Sequence, residues 1–352
     1  MAELILGKPL ALLPRALLAR ARKNTKMLVV ADAAVAGRFG KRLQAGLKKA
    51  GFDARLIALP SGERSKTLAQ AGKLYAILAK ERFERTSWLI ALGGGVTGDL
   101  TGFVAATFLR GIPYVQVPTT LLAQVDASIG GKTGVDIPEG KNLVGSFYFP
   151  RLVWIDPALL KTLPKKHWCN GLAEVIKYGA IRDAKLFERL EQKMDRLVRG
   201  SSSEWTGIIA RCTEIKAEVV QKDPTETRGL RALLNFGHSV GHAIEAATGY
   251  RDYLHGEAIS IGMFVAGFLS GELTGLAPVD RIRLGTLLTN AGLPSRARRP
   301  IPRARLMTYL ARDKKVQDGS VRFVLLKGLG EAVSGQTVPP DLLDAALSAS
   351  GL

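Results

Sequence analysis

Ser87-Trp88-Leu89-Ile90-Ala91-Leu92, running into Gly93-Gly94-Gly95-Val96-Thr97-Gly98-Asp99, is the stretch that decides the fold. Its first half is a short apolar run without alternation, the pattern of a strand covered on both faces. The glycine-rich turn then opens a small-residue helix that reads on to Leu109. A strand that feeds a helix in this way begins a crossover unit, and crossover units build parallel sheets. The backbone N–H groups of such a turn, together with the helix dipole, can hold a phosphate. The turn is not the G-x-G-x-x-G fingerprint, and glycine richness alone is a weak marker of a nucleotide.

The same alternation extends to both sides. Lys26 to Ala31 is a strand ending at Asp32, and Val35 to Ala50 has helical spacing with Phe39, Leu43 and Leu47 on one face. Arg55 to Leu59 is another strand, and after Pro60 to Lys66 a helix capped by Thr67 runs through Phe83. Pro113 to Val117 is a strand followed by Pro118-Thr119-Thr120 and a helix, and Leu152 to Ile155 is a strand ending at Asp156-Pro157. Between 130 and 157 the pattern is less regular, with Lys132, Asp136, Lys141 and Asn142 set among glycines. After Pro164 long helical patterns take over: Gly171–Ile181, Asp183–Val198, Glu204–Gln221, Asn235–Thr248, Gly256–Leu273 and Val279–Ala291. Only Val321 to Leu326 reads as a strand there, and a weak helix follows Pro339. The boundary falls near 160–165, giving an α/β unit over 1–163 and a mostly α-helical unit over 164–352.

Composition narrows the class. A chain of 352 residues with 47% hydrophobic and 23% charged residues is ordinary for a globular protein and excludes disorder. The run Ile259 to Leu269 is too short and too interrupted to span a bilayer. Arg15, Arg20 and Arg22 read as the basic face of a first helix, and no signal peptide is expected. Cys169 and Cys212 fit no ligand motif, and the default compartment is the reducing cytoplasm. The net charge of +19 invites a nucleic-acid reading. Yet its densest run, Arg296 to Arg305, has no aromatic residue to stack a base and reads as a solvated loop. Neither a nucleic acid nor a membrane is expected as a partner.

Of the four histidines, three fall between 238 and 255. His238 and His242 are four apart and stack on one helix face, with glycines at 237 and 241 leaving room for a close approach. The pair resembles that of zinc proteases, but Ser239 stands where their glutamate belongs. One histidine can therefore be a ligand and the other an acid–base group. Glu174, His238 and His255 would make a two-histidine, one-carboxylate set with an open position, as a catalytic zinc site wants. Glu174 and Lys177 have the spacing of an ordinary helix ion pair, though their apolar surroundings suggest that both face a site. Arg231 and Asn235, extended back along the His238 helix, would approach the same face and suit an anionic oxygen and a hydroxyl. Asp32, at a strand end, suits ribose hydroxyls or a simple helix cap. Glu63 and Lys66 read as surface charges. Asp126, Lys132, Lys141 and Asn142 together can form an anion pocket, and Asp313-Lys314-Lys315 reads as a charged turn before the last strand.

Six stretches then match one family in order. They are GGGVTGD at 93–99, PTTLLAQVDASIGGKTGVD at 118–136, KNLVGSF at 141–147, GLAEVIKYG at 171–179, RALLNFGHSVGHAIE at 231–245 and HGEA at 255–258. The chain resembles the 3-dehydroquinate synthase family of the sugar phosphate cyclase superfamily. The resemblance implies a Rossmann-like NAD-binding domain over 1–163 and an α-helical metal- and substrate-binding domain over 164–352. It implies NAD contacts from Asp32, Glu63 and Lys66. The turn residues Gly94, Gly95, Val96, Thr97, Gly98 and Asp99 join them, with Thr119, Thr120, Lys132, Lys141 and Thr162. It implies a divalent metal, zinc or cobalt, on Glu174, His238 and His255, with His242 left as an acid–base group. Asp126, Lys132, Asn142, Lys177, Arg231, Asn235 and one lysine of the Lys314–Lys315 pair would serve the substrate, an anionic sugar-acid phosphate. Arg110 matches an arginine that the family supplies across a homodimer. Phe236, in place of a commoner aliphatic residue, and the arginine-rich 294–305 stretch depart from the family pattern.

Overall fold

The side chains of the strand Lys26–Asp32 divide between two cores. Met27, Val29 and Ala31 enter one, with Trp88, Ile90, Leu92 and the helix residues Leu43 and Leu47. Leu28 and Val30 enter the other, with Leu89, Leu74, Leu78, Leu100 and Val104. A strand buried on both faces has no polar alternation to keep, which is why its sequence is a continuous apolar run. Each such fully buried aliphatic side chain contributes about 1.5–3 kcal/mol relative to exposure.

In this computed structural model the described residues are 2–199, 203–224, 226, 229–311, 316–317 and 320–352. The chain divides into two compact units, Met1–Leu163 and Pro164–Leu352. The strands of the first unit are β1 (Glu3–Leu6), β2 (Lys26–Asp32), β3 (Asp53–Leu59), β4 (Trp88–Gly93), β5 (Tyr114–Pro118), β6 (Lys132–Ile137), β7 (Gly140–Phe147) and β8 (Leu152–Ile155). Six of them form one parallel sheet in the order β1-β8-β5-β4-β2-β3. The chain steps from β2 outward to β3, then returns to the other side of β2 as β4. The carboxyl ends of β2 and β4 are level, with Ala31 paired to Leu92, so the topological switch point lies just beyond Asp32 and Gly93. That crevice is where open parallel sheets take their ligands.

The irregular stretch after residue 130 is an antiparallel hairpin, β6 with β7, packed on the helix Gly95–Thr107. Its glycines hide it from a propensity reading, yet two of them are required by contact: a Cβ on Gly134 would lie 2.8 Å from the Val144 carbonyl oxygen, and one on Gly145 would strike the Thr133 carbonyl oxygen. The pattern over Val35–Ala50 is not one helix. It breaks into a turn Ala33–Val35, a π segment Ala36–Gly40 and a helix Lys41–Lys49. Gly40 passes so near β3 that a Cβ would lie 3.0 Å from Leu56 Cδ1. Thr67 caps the next helix through Gln70 N, and that helix spans Leu68–Lys80.

The second unit holds helices Lys165–Arg182, Ala184–Leu197, Trp205–Lys222, His238–Ala247, His255–Leu273, Pro278–Asn290, Arg303–Ala311 and Pro340–Ala349. Where one strand was expected, the described residues form three: β9 (Val316–Gln317), β10 (Ser320–Gly328) and β11 (Glu331–Thr337), antiparallel in the order β11-β10-β9. Ser270 and Thr274, one turn apart, fasten β10 to the helix His255–Leu273: Ser270 Oγ accepts from Leu326 N at 2.9 Å and Thr274 Oγ1 donates to Leu326 O at 2.5 Å. That helix is long and apolar enough by composition to cross a bilayer, but 67% of it is buried inside the protein, as a central packing helix is. The arginine-rich stretch is not simply solvated. Arg298 pairs with Glu257 and lies over the Tyr253 ring, and Arg303 pairs with Asp344 at 3.1 Å. Cys169 and Cys212 are not joined in a disulfide.

Candidate active site

In the first unit the glycine turn is placed as its sequence suggested. Gly94 precedes the helix Gly95–Thr107 with no side chain capping it, so the first-turn amides face the switch-point crevice. Gly93 is enforced by proximity, since a Cβ there would collide with Thr97. Thr119 N donates to Gly93 O at 2.9 Å, which fixes the loop after β5 beside the turn, and Thr120 Oγ1 caps the following turn at Ala123 N, 3.2 Å away. The crevice floor is therefore glycine backbone with hydroxyls at its edge, a chemistry suited to a pyrophosphate. Asp32 is a helix cap: its Oδ1 accepts from Ala34 N at 2.8 Å and from Ser61 Oγ at 2.6 Å.

Lys66, expected as a surface charge, is 3% exposed. Its ammonium donates to Asp99 Oδ2 and Asn142 Oδ1, each at 2.5 Å. Burial alone would lower its pKa, but Asp99 and the neighbouring carboxylates of Glu63 and Asp136 hold it above the usual lysine value. Asp136 Oδ1 accepts from Asn142 N at 2.9 Å, and Lys141 pairs with Glu63 at 3.2 Å. Glu63, Lys66, Asp99, Lys141 and Asn142 thus form one network that ties the hairpin to the start of the Gly95–Thr107 helix. Asn142 sits in it at φ 55°, in the left-handed region that asparagine tolerates.

In the second unit, three helices bring the carboxylate and the histidines together. Glu174 lies on Lys165–Arg182, His238 and His242 on His238–Ala247, and His255 at the first position of His255–Leu273. Small residues allow the crossing. A Cβ on Gly241 would lie 2.9 Å from Ile259 Cα, and one on Gly262 would strike the Gly237 carbonyl. The room left by Gly237 and Gly241 is filled by another helix. Gly256 does the same against the carboxylate helix: a Cβ would sit 2.8 Å from Asn170 Cα. There Asn170 Oδ1 accepts from Gly256 N at 2.5 Å, one turn before Glu174.

Glu174 is 1% exposed and its two oxygens have separate partners. Oε2 pairs with Lys177, which is equally buried. Oε1 lies 3.3 Å from His238 Nε2 and 3.3 Å from His255 Nε2. Burial works against its ionisation, but Lys177, His238 and His255 hold its pKa well below the ordinary carboxylate range. His238 Nδ1 lies 3.1 Å from the Phe236 carbonyl, which only accepts, so Nδ1 carries the proton of the neutral ring. Burial lowers the His238 pKa, against the opposing effect of Glu174. His255 is half-buried. Burial pulls its pKa down, but Glu245, 3.3 Å from Nδ1, and Glu174 bring it up to about 10. Glu174, His238 and His255 each offer a ligand atom, all within 4.8 Å of one another. A proton at His255 Nε2 and a divalent cation are alternative answers to the same buried negative charge, so the donor set fits a metal.

His242 is exposed, its ring centroid 5.3 Å from that of His238 and 6.0 Å from that of His255. Arg231 and Asn235 do not continue the His238 helix. They lie on a separate 3-10 turn, Leu230–Asn235, cut off by Phe236 at ψ 123° and Gly237 at φ 77°. Arg231 is buried and donates from Nη1 to Pro224 O at 2.7 Å, while its backbone N donates to Asp223. Asn235 is half-buried. Asp126 is half-buried on a π turn, Lys132 is exposed at the start of β6, and Thr162 is exposed at the end of the turn Pro157–Thr162. Arg110 is exposed and follows Leu109, both with φ in the left-handed region, 64° and 50°. Lys314 and Lys315 lie outside the described residues. Two residues given no role by the sequence reading belong to the cluster: Asn170, one turn before Glu174, and Glu245, which continues the 238, 242 stripe on the same helix face.

Known proteins match this chain along its length. The family described as 3-dehydroquinate synthase N-terminal matches residues 56–170, and that described as 3-dehydroquinate synthase C-terminal matches residues 171–316. A 3-dehydroquinate synthase of Synechococcus sp. is 50% identical over 331 residues, covering 93% of this chain and 89% of that protein. Among solved structures, the 2-epi-5-epi-valiolone synthase ValA of Streptomyces hygroscopicus subsp. jinggangensis, with NAD+ and Zn2+ bound, superposes with a TM-score of 0.91 at 30% identity. That match covers 99% of this chain and 96% of the other. A 2-deoxy-scyllo-inosose synthase complexed with carbaglucose-6-phosphate, NAD+ and Co2+ superposes with a TM-score of 0.87 at 25% identity, over 99% and 96% of the two chains. The switch-point glycine turn, the clustered Glu174, His238 and His255, and these matches together establish that the chain belongs to the 3-dehydroquinate synthase family.

Proposed function

We propose that this chain catalyses the reaction of its family, the conversion of 3-deoxy-D-arabino-heptulosonate 7-phosphate to 3-dehydroquinate and phosphate. The observation that carries the reading is the buried convergence of Glu174 Oε1, His238 Nε2 and His255 Nε2 in a chain half identical to such a synthase. NAD, when bound, supplies a hydride acceptor for the substrate's C5 carbinol and later a hydride donor, so it is not consumed. A divalent metal, zinc or cobalt, supplies Lewis acidity toward the neighbouring substrate oxygens.

The chain's own residues do the rest. The Gly94–Asp99 turn, Thr119, Thr120, Asp32, Thr162 and the network of Glu63, Lys66 and Lys141 hold the dinucleotide at the switch point. Glu174, His238 and His255 hold the metal, with Lys177 compensating the outer carboxylate oxygen. His242, exposed beside them, takes up and returns the C5 hydroxyl proton. The oxidised carbon acidifies its neighbour, and phosphate leaves with its bonding electrons while the departing phosphate oxygens accept the released proton. No strong enzymic base is then needed. Arg231, Asn235, Lys132, Asn142 and Asp126, with a lysine from the Lys314–Lys315 pair, orient the carboxylate, phosphate and hydroxyls of the substrate. A homodimer, in which Arg110 reaches the substrate phosphate of a second copy, and a cytoplasmic location belong to the same proposal.

The test is to supply the purified protein with NAD, zinc or cobalt, and each of several sugar phosphates. Stoichiometric phosphate release from the heptulosonate phosphate with no net NADH is expected. Release only from a neutral sugar phosphate, or steady accumulation of NADH, overturns the reading.

A further inference from the structure

His238 and His255 are held at their far nitrogens by different chemistry. His238 Nδ1 meets a neutral acceptor, the Phe236 carbonyl at 3.1 Å. His255 Nδ1 meets a carboxylate, Glu245 Oε2 at 3.3 Å. Glu245 is 8% exposed, and burying a carboxylate is costly unless it has a charged or donating partner. It stands seven residues after His238 and three after His242, so all three side chains share one face of the helix His238–Ala247. That face is pressed against the start of His255–Leu273 by the close approach of Gly241 to Ile259. The bond from His255 to Glu245 therefore joins two helices whose separation the backbone already fixes.

We infer that Glu245 is a positioning residue for His255: its carboxylate accepts the Nδ1 proton, fixes the ring's tautomer and orientation, and delivers Nε2 to the metal beside Glu174. The chemistry is general, since a carboxylate behind a ligating imidazole raises its basicity and restricts its rotation. It explains how a half-buried histidine at a helix N-terminus can be held as a ligand. The inference rests on the proposed metal role of Glu174, His238 and His255. Glu245 also groups with His242 and His255 through ligand atoms within 4.8 Å of one another. A direct-ligand role is therefore the competing outcome.

The test is zinc binding by chelator competition on the parent, Glu245→Ala and Glu245→Gln, with the visible spectrum of the cobalt-loaded forms and the melting of the metal-free forms. One metal per chain is expected in all three. Glu245→Ala should raise the zinc Kd by about 10- to 100-fold. Glu245→Gln, whose amide oxygen still accepts the Nδ1 proton, should lose less and keeps the question open to measurement should the alanine variant not fold. The cobalt spectrum should shift in the alanine variant. Unchanged Kd values with unchanged spectra overturn the inference, as does a change confined to the melting of the metal-free protein. A second metal equivalent that disappears with Glu245→Ala also overturns it, by making Glu245 a ligand. A parent protein that takes up no metal instead contradicts the proposed function.

Discussion

Asn170 Oδ1 accepts a hydrogen bond from the Gly256 amide at 2.5 Å, one residue after His255 and one helical turn before Glu174. This contact docks the N-terminus of the helix His255–Leu273 onto the carboxylate helix and sets the distance across which a metal can be shared. It requires a glycine, because any side chain at 256 would run into the Asn170 backbone rather than into a movable side chain.

Gly256→Ala should therefore separate the two ligand helices. A loss of stability of about 1–3 kcal/mol is expected from the overpacking, with a loss of zinc affinity that a remote destabilising substitution of equal size does not produce. Thermal melting and chelator competition on the same samples check this. Unaltered zinc affinity in a folded Gly256→Ala protein would mean that the Asn170 contact does not set the site.

Lys66 is the buried pivot of the first unit, and its removal takes one donor from Asp99 and one from Asn142. Lys66→Met should destabilise the protein by about 1–3 kcal/mol, since Asp99 is partly solvated and recovers some of the loss. Amide hydrogen exchange should rise over 132–147 and NAD should bind more weakly. Exchange in the hairpin that does not change would show that other contacts hold it.

Asp183 caps the helix Ala184–Leu197 through Leu186 N at 3.0 Å and pairs with Arg211 at 2.5 Å. Burial opposes its ionisation, but Arg211 and the cap hold its pKa below the usual aspartate value. The stabilisation is therefore fully present above the unfolded pKa of about 3.9 and disappears as pH falls through the folded value. Asp183→Asn keeps a cap acceptor and removes the charge. Its melting temperature should lie below the parent's at pH 7, with the gap closing under strongly acidic conditions. A gap that persists or grows on acidification contradicts the assignment.

Much of this was legible because certain signals are rare. Three of the four histidines in one short segment and glycines directly after an apolar run have few structural explanations. The continuous apolar character of β2, β4 and β5 declared a parallel sheet before any contact was known. What escaped depends on partners distant in sequence. The hairpin β6–β7 is glycine-rich and is held by Lys66, which nothing local marks as buried. The helical pattern over Asn235–Thr248, extended back to Arg231, is split by Gly237 at φ 77°, where a Cβ would run into Met263 and the Ile259 carbonyl. Nothing local marks Glu245, since its partner His255 comes from the next helix. Strand β1 is too short to show a period and is recognisable only once Leu152–Ile155 stands beside it.

The division of the histidines is tested most directly by metal content per chain after exhaustive desalting. The parent and His242→Ala should each retain one zinc, with turnover lost in His242→Ala, while His238→Ala and His255→Ala should retain none. Loss of metal from His242→Ala as complete as from His255→Ala would contradict the assignment of Glu174, His238 and His255 as the ligands.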